Sequence, residues 1–222
     1  MCGRFTHRNP DPAPFPEFSK HWPQVPPRFN IAPSTDVLVL RLVDGEPRAE
    51  LARWGLRPKW LKDPSKAQIN ARSETAAEKP FFRDAWKRNR CLIVADGWYE
   101  WMPGPEKRAP KQPFFFHLAD DAPFTIGALW SAWTDEAGPH PTCAILTTAP
   151  SALAAKVHDR MPVLVPAAER MRFLDPRTPP EAIAPMCGAY AGTDLVVQPV
   201  DPRVNAPRND DPACVVATGP AL

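Results

Sequence analysis

The second residue carries the most reactive chemistry in this sequence. Removal of the initiator methionine leaves Cys2 with a free α-amine and a thiol on adjacent carbons. Such a 1,2-aminothiol condenses with an aldehyde to a Schiff base, and the thiolate then closes a thiazolidine ring. No internal cysteine can do this. An amine pKa near ~7.7 and a thiol pKa near ~8.5 leave both groups close to nucleophilic at neutral pH. The same pair suits attack on an amide carbonyl with the amine as base, the chemistry of an N-terminal-nucleophile amidase or peptidase. A third reading leaves Cys2 inert at a fraying chain end, in a non-catalytic single-stranded-DNA-binding module.

Three further positions could serve such a nucleophile. Glu100 lies among Trp98, Tyr99 and Trp101 at the end of the apolar run Cys91–Ala95. Burial there raises a carboxyl pKa and suits it to passing protons, whereas a basic partner depresses it. His158 is followed at once by Asp159 and Arg160, a setting that His7, His21, His117 and His140 lack, and histidine titrates near neutrality. Asn70 and Arg72 alternate in an extended segment, which turns an amide and a guanidinium to one side. Arg4, two residues from Cys2, would place a second guanidinium beside the chemistry. Each has a purely structural counterpart: a hydrogen-bonded carboxylate, a helix-end histidine, a solvent-facing arginine.

Other chemistries are excluded by what the sequence lacks. It has no Gly-rich phosphate loop, no HExxH and no GxSxG. Its five cysteines are odd in number and widely separated, with no CxxC or Cys/His spacing of a zinc site, so neither a disulfide scaffold, a metal nor a cofactor is expected. No apolar run approaches ~18 residues and no signal-peptide pattern opens the chain, which reads as a cytoplasmic protein without a membrane segment. Residues 1–110 hold 19 Lys/Arg against 13 Asp/Glu, while residues 111–222 hold 8 against 12. An anionic partner would therefore dock on a face built mainly by the first half. The loop 57–68, with Arg57, Lys59, Trp60, Lys62 and Lys66, interleaves cations with an indole as single-stranded nucleic acid requires.

The elements that must hold these residues are short, because 31 prolines among 222 residues interrupt any long helix. Strands are expected over Cys2–Thr6, Val37–Leu42, Ala49–Trp54, Cys91–Ala95, Phe114–Leu118, Phe124–Trp133, Cys143–Thr147 and Leu195–Pro199. Asp44-Gly45 and Asp120-Asp121 fit turns, Gly127 a bulge, and 136–141 a longer turn. Short helices are expected at Phe15–Trp22, after a Thr75/Glu78 capping box, at Ala152–Val157 and at Pro166–Leu174. The pattern is α+β: one compact domain over 2–211, mostly antiparallel strands curling into a barrel-like core with peripheral helices, then a short tail over 212–222.

Four stretches, Cys2-Gly3-Arg4-Phe5, Asn70-Ala71-Arg72-Ser73-Glu74-Thr75, Gly97-Trp98-Tyr99-Glu100-Trp101 and His158-Asp159-Arg160-Met161-Pro162, resemble in order those of the SOS response-associated peptidase (SRAP) family. The resemblance implies a protein that shields abasic sites in single-stranded DNA, after removal of Met1, through a thiazolidine between Cys2 and the ring-opened deoxyribose. It implies that Asn70 holds the sugar or ring, that Glu100 deprotonates the α-amine, and that His158 assists ring opening and reversal. Arg4 and Arg72 are implied as phosphate contacts, and Trp54, Trp60 and Pro33 as residues that pack or contact the DNA channel. A peptidase-like self-removal of Met1, an associated lyase step, a monomeric state, nucleoid association and replication-associated partners complete the expectations.

Overall fold

The computed structural model describes residues 2–104, 106, 109–135 and 138–222, with the side chain of Asp135 left aside. Two sheets form the molecule. The first orders its strands β13-β8-β7-β1-β2 and contains β1 (Phe5–His7), β2 (Arg28–Ile31), β7 (Gly97–Met102), β8 (Gln112–Leu118) and β13 (Leu195–Pro199). The second is built on β3 (Asp36–Val43), β4 (Glu46–Trp54), β6 (Arg90–Ala95), β9 (Phe124–Asp135) and β10 (Gly138–Thr148). Its strands run β10-β4-β3-β6-β9, and β9 pairs back onto β10, closing a ring. Closure removes the open edges that would otherwise need protection. β5 (Asn70–Arg72) adds to β10 in parallel, beside the short β11 (Met161–Pro162), while β12 (Leu164–Val165) pairs with β9.

Period-two alternation explains why so many strands read as continuously apolar. Val37 and Val39 of β3, and Cys91, Ile93 and Ala95 of β6, join Phe5, Trp98 and Phe116 in a core between the two sheets. Leu38, Leu40, Leu92 and Val94 point the other way, into a second core with Trp86 and Phe173. That outer layer is covered by α1 (Ser73–Ala76), α2 (Arg83–Arg88), α3 (Arg170–Leu174) and α4 (Pro180–Ile183). A third cluster of Tyr99, Phe115, Val200, Val204 and Cys214 covers the far face of the smaller sheet.

The α+β architecture with a mostly antiparallel barrel core agrees with the sequence reading. At Asp44 and Gly45 φ is +53° and +85°, the positive pair that a two-residue hairpin turn between β3 and β4 demands. Local details differ. Residues 16–21 and 154–156 form only 3-10 turns, as expected where prolines leave too few residues to propagate an α-helix. The Thr75/Glu78 capping box does not form, because helix α1 already starts at Ser73. Gly127 stays in register opposite Leu92 and makes no bulge; a Cβ there would meet Phe173, Val163 and Val165 at 3.2–3.3 Å, so the glycine permits close approach instead. Of the expected 136–141 turn, Glu136 and Ala137 lie outside the described residues, and β10 begins at Gly138. Residues 212–222 lie against β13: Cys214 is buried, Val200 bridges Ala217, and Leu222 donates its N–H to the Val197 carbonyl.

Candidate active site

The chain start does not fray. β1 is an interior strand, hydrogen-bonded to β2 on one side and β7 on the other. Asp96, at the β6–β7 corner and 1 % exposed, receives the Thr6 hydroxyl, the Arg8 and Asn9 backbone N–H groups, and Arg8 Nε at 3.0 Å. A buried carboxylate satisfied by this many donors fixes the strand that carries Cys2. Cys2 is consequently fully buried at the margin of the inter-sheet core.

Three distant segments converge on it. Parallel pairing sets Asn70 opposite Ile145 of β10, and Asn70 Nδ2 donates to the Cys2 carbonyl at 2.9 Å. Glu100 follows Trp98 by two residues on β7, so the strand turns it to the same face as that core indole. Glu100 is 2 % exposed, and burial pushes its carboxyl up to about 7. Burial also raises the Cys2 thiol, with the Glu100 carboxylate adding to the effect. His158 Nε2 stands 3.7 Å from Glu100 Oε2. His158 Nδ1 is held by the Arg160 backbone N–H at 3.0 Å and stands 3.1 Å from Asp159 Oδ1, so the ring is oriented with Nε2 toward Glu100. Burial lowers the His158 pKa and favours the neutral ring.

All four residues expected to do chemistry are therefore in one place. The arrangement joins a backbone clamp on residue 2, a carboxyl poised near neutrality and an imidazole of fixed orientation. Such a set can take a proton from one group and deliver it to another near neutral pH.

The expected DNA contacts divide. Arg72 is exposed on the same side of β5 as Asn70. Trp60 is 57 % exposed and packs edge-on to Phe81 with centroids 5.7 Å apart. Pro33 is half-buried beside Ser34, whose φ of +65° turns the chain toward β3. Trp54 is a correction: it is fully buried, donates Nε1–H to the Ile69 carbonyl at 2.9 Å and packs on Phe5, so it shapes the β5 approach from within and presents no surface to a ligand. The Arg4 side chain turns away from Cys2. Its guanidinium donates to Asn30 Oδ1 at 2.8 Å and to the carbonyls of Val204 at 2.7 Å and Asn205 at 3.3 Å.

Three residues escaped the sequence reading. Arg160 makes a two-pronged ion pair with Glu74, both contacts 2.8 Å, and donates to the Thr147 carbonyl at 2.6 Å, tying the His158 loop to α1 and β10. Their placement in two of the four motifs was the available signal. Lys111, in a Pro/Lys stretch with no pattern of its own, is close enough for its charge to lower both the Glu100 and the His158 pKa.

The model of the family described as SOS response associated peptidase (SRAP) matches residues 1–207. The chain is 35% identical over 229 residues to the abasic site processing protein YoqW of Bacillus subtilis, covering 97% of this chain and 99% of that one. It is 38% identical over 144 residues to the abasic site processing protein YedK of Escherichia coli, covering 64% and 63%. A phage-related protein of Bordetella bronchiseptica, solved by X-ray crystallography, superposes with a TM-score of 0.71 at 29% identity, covering 90% of this chain and 94% of that one.

Proposed function

The chain belongs to the SOS response-associated peptidase (SRAP) family, and from that premise we propose that it covalently captures abasic sites in single-stranded DNA. Once Met1 is removed, the Cys2 amine attacks the C1′ aldehyde of the ring-opened deoxyribose. Loss of one water gives the imine. The thiol sulfur adds to the imine carbon as its proton passes to the imine nitrogen, and a thiazolidine forms with no change of oxidation state. Breaking the two new bonds to C1′ and restoring water reverses the adduct.

Each group has a task in this scheme. Glu100, with its carboxyl raised to about 7, accepts the proton that the ammonium must lose and is still basic enough to hold it. His158 relays protons as the closed hemiacetal opens, with its Nε2 aimed at Glu100. Asn70 keeps the residue-2 backbone fixed, so the amine and the thiol meet the same carbon. Arg72, Lys111 and Trp60 offer charge and a stacking plane to the strand, and an abasic nucleotide asks nothing of a base pocket. The same thiol is the candidate for self-removal of Met1, and a lyase step at the imine would be a side branch.

The observation that carries this reading is the burial of residue 2 against Asn70 and Glu100 in place of a free end. The test is a denaturing gel of the protein incubated with single-stranded DNA containing one abasic site. A slowly migrating adduct is expected with the parent and none with Cys2→Ala. An equal adduct with Cys2→Ala would sink the proposal. Turnover of a peptide or of glutamine without DNA would point to the amidase, and DNA binding indifferent to the lesion would point to a non-catalytic module.

A further inference from the structure

A second cleft, of about 500 Å³, opens on the outer face of the closed sheet and is lined by Asp36, Leu51, Arg53, Arg57, Trp133 and His140. Strand alternation places it. Ala52 and Trp54 of β4, and Cys143 and Ile145 of β10, point into the core that holds Cys2. Arg53, His140 and Thr142 therefore face the opposite way. The cleft is distinct from the Cys2 site.

It adjoins, however, the surface around Trp60. A smaller cleft of about 160 Å³ is lined by Lys59, Trp60, Phe81 and Ser131. One shared wall separates the two. The Arg57 N–H donates to Thr142 Oγ1 at 2.9 Å, and that hydroxyl donates to the Ser131 carbonyl at 3.0 Å. The path from Trp60 thus leads over Lys59 and Arg57 to Trp133 and Arg53.

The wall chemistry selects a ligand. The Arg57 guanidinium lies 4.5 Å over the Trp133 ring, and its buried Nε has no hydrogen-bond partner among the described residues. Neither Arg53 nor Arg57 forms an ion pair among the described residues, and together they outweigh the carboxylate of Asp36. Unpaired guanidinium donors beside an indole match a phosphodiester with an adjacent base. We infer that this cleft is a second single-stranded DNA subsite, which holds a phosphate and a base of the strand that leaves the abasic site past Trp60.

The inference rests on the reading of the protein as an abasic-site capture protein, and the experiment separates the two. Binding is measured by anisotropy with strands carrying a non-reactive tetrahydrofuran abasic analogue. The strands run from about five to about fifteen nucleotides, extended on either side of the lesion, for the parent, Arg53→Glu and the Arg53→Ala/Trp133→Ala double variant. Adduct yield on the shortest strand with a true abasic site is recorded in parallel. The parent is expected to gain affinity with extension on one side only. Both variants should lose about tenfold on the long strand, and the double variant should lose about 0.7 from the salt slope. Their adduct yield on the shortest strand should match the parent, which also reports correct folding. Equal length-dependent gain in parent and variants, or no gain in the parent, overturns the subsite. No adduct with the parent on the shortest strand overturns the capture reading itself.

Discussion

Asn70 donates its side-chain N–H to the carbonyl oxygen of Cys2 at 2.9 Å, a contact that spans 68 residues of sequence. The other end of that amide, Oδ1, is buried without a partner among the described residues. One side chain thus anchors the residue-2 backbone and holds an unpaired acceptor, which in the proposed chemistry would meet a sugar hydroxyl or the ring nitrogen. Asn70→Ala should slow adduct formation by about tenfold or more, as expected when a hydrogen bond of ~1–2 kcal/mol in the reacting complex is lost. Single-turnover gels check this. A rate equal to that of the parent would confine Asn70 to a structural role.

Glu100 gives a pH signature. Its folded-state pKa, raised by burial to about 7, lies above the unfolded value of ~4.3. The folded protein therefore binds more protons across that interval, and stability falls as pH rises from about 4.5 to 7, then levels off. Glu100→Gln removes the titration. Urea unfolding should show the variant gaining on the parent through this window and holding its advantage above it, while losing adduct formation. Parallel stability profiles would contradict the shift.

The Arg160–Glu74 pair governs the imidazole. Glu74 is 47% exposed at its side chain, so Glu74→Gln should cost less than about 1 kcal/mol of stability. It should nevertheless slow adduct formation several-fold, because the Arg160 backbone that fixes His158 Nδ1 loses its anchor to α1. Nitrogen chemical shifts of the His158 ring, followed across pH, should show an altered tautomer balance. An unchanged ring spectrum would show that the pair does not position His158.

The two tryptophans should separate cleanly. Trp54→Ala opens a cavity in the inter-sheet core and should cost about 3–5 kcal/mol in folding stability. Trp60→Ala should change stability by under about 0.5 kcal/mol yet weaken single-stranded DNA binding by ~1–3 kcal/mol. Thermal melts and anisotropy titrations on the same samples distinguish them. Equal DNA affinity for Trp60→Ala and the parent would remove Trp60 from the strand's path.

The arginines separate in the same way. Arg72→Ala should leave stability intact and reduce the salt dependence of DNA binding by about 0.7 in slope. Arg4→Ala instead strands the buried Asn30 amide oxygen, at about 1–3 kcal/mol of stability. A salt slope unaffected by Arg72→Ala would assign that residue elsewhere.

The barrel was legible because its strands announce themselves: Cys91–Ala95 is apolar at every position since sheet and helices cover both faces, and Asp44-Gly45 names its own hairpin. The helices were less so. At four to six residues, their ends depend on tertiary packing more than on caps, as the unused Thr75/Glu78 signal shows. Within the site, residue type disclosed what Cys2, Glu100 and His158 can do. It did not disclose direction. Whether Arg4 faced the thiol or the Val204 carbonyl depended on a turn about 200 residues away. Trp54 and Trp60 are the same amino acid six positions apart, and only the closing of the sheet decides which is interior.

The long reach of Arg4 bears on how the protein is made. The N-terminal strand is synthesised first, yet its guanidinium is secured by Val204 and Asn205, and its flanking strand β7 is also far downstream. Contacts of such sequence separation form late. A ribosome-bound chain that has not reached residue 205 leaves the Arg4 guanidinium without the Val204 and Asn205 carbonyls, so the segment that carries Cys2 lacks that anchor. The anchoring of the N-terminal segment is thereby tied to completion of the fold.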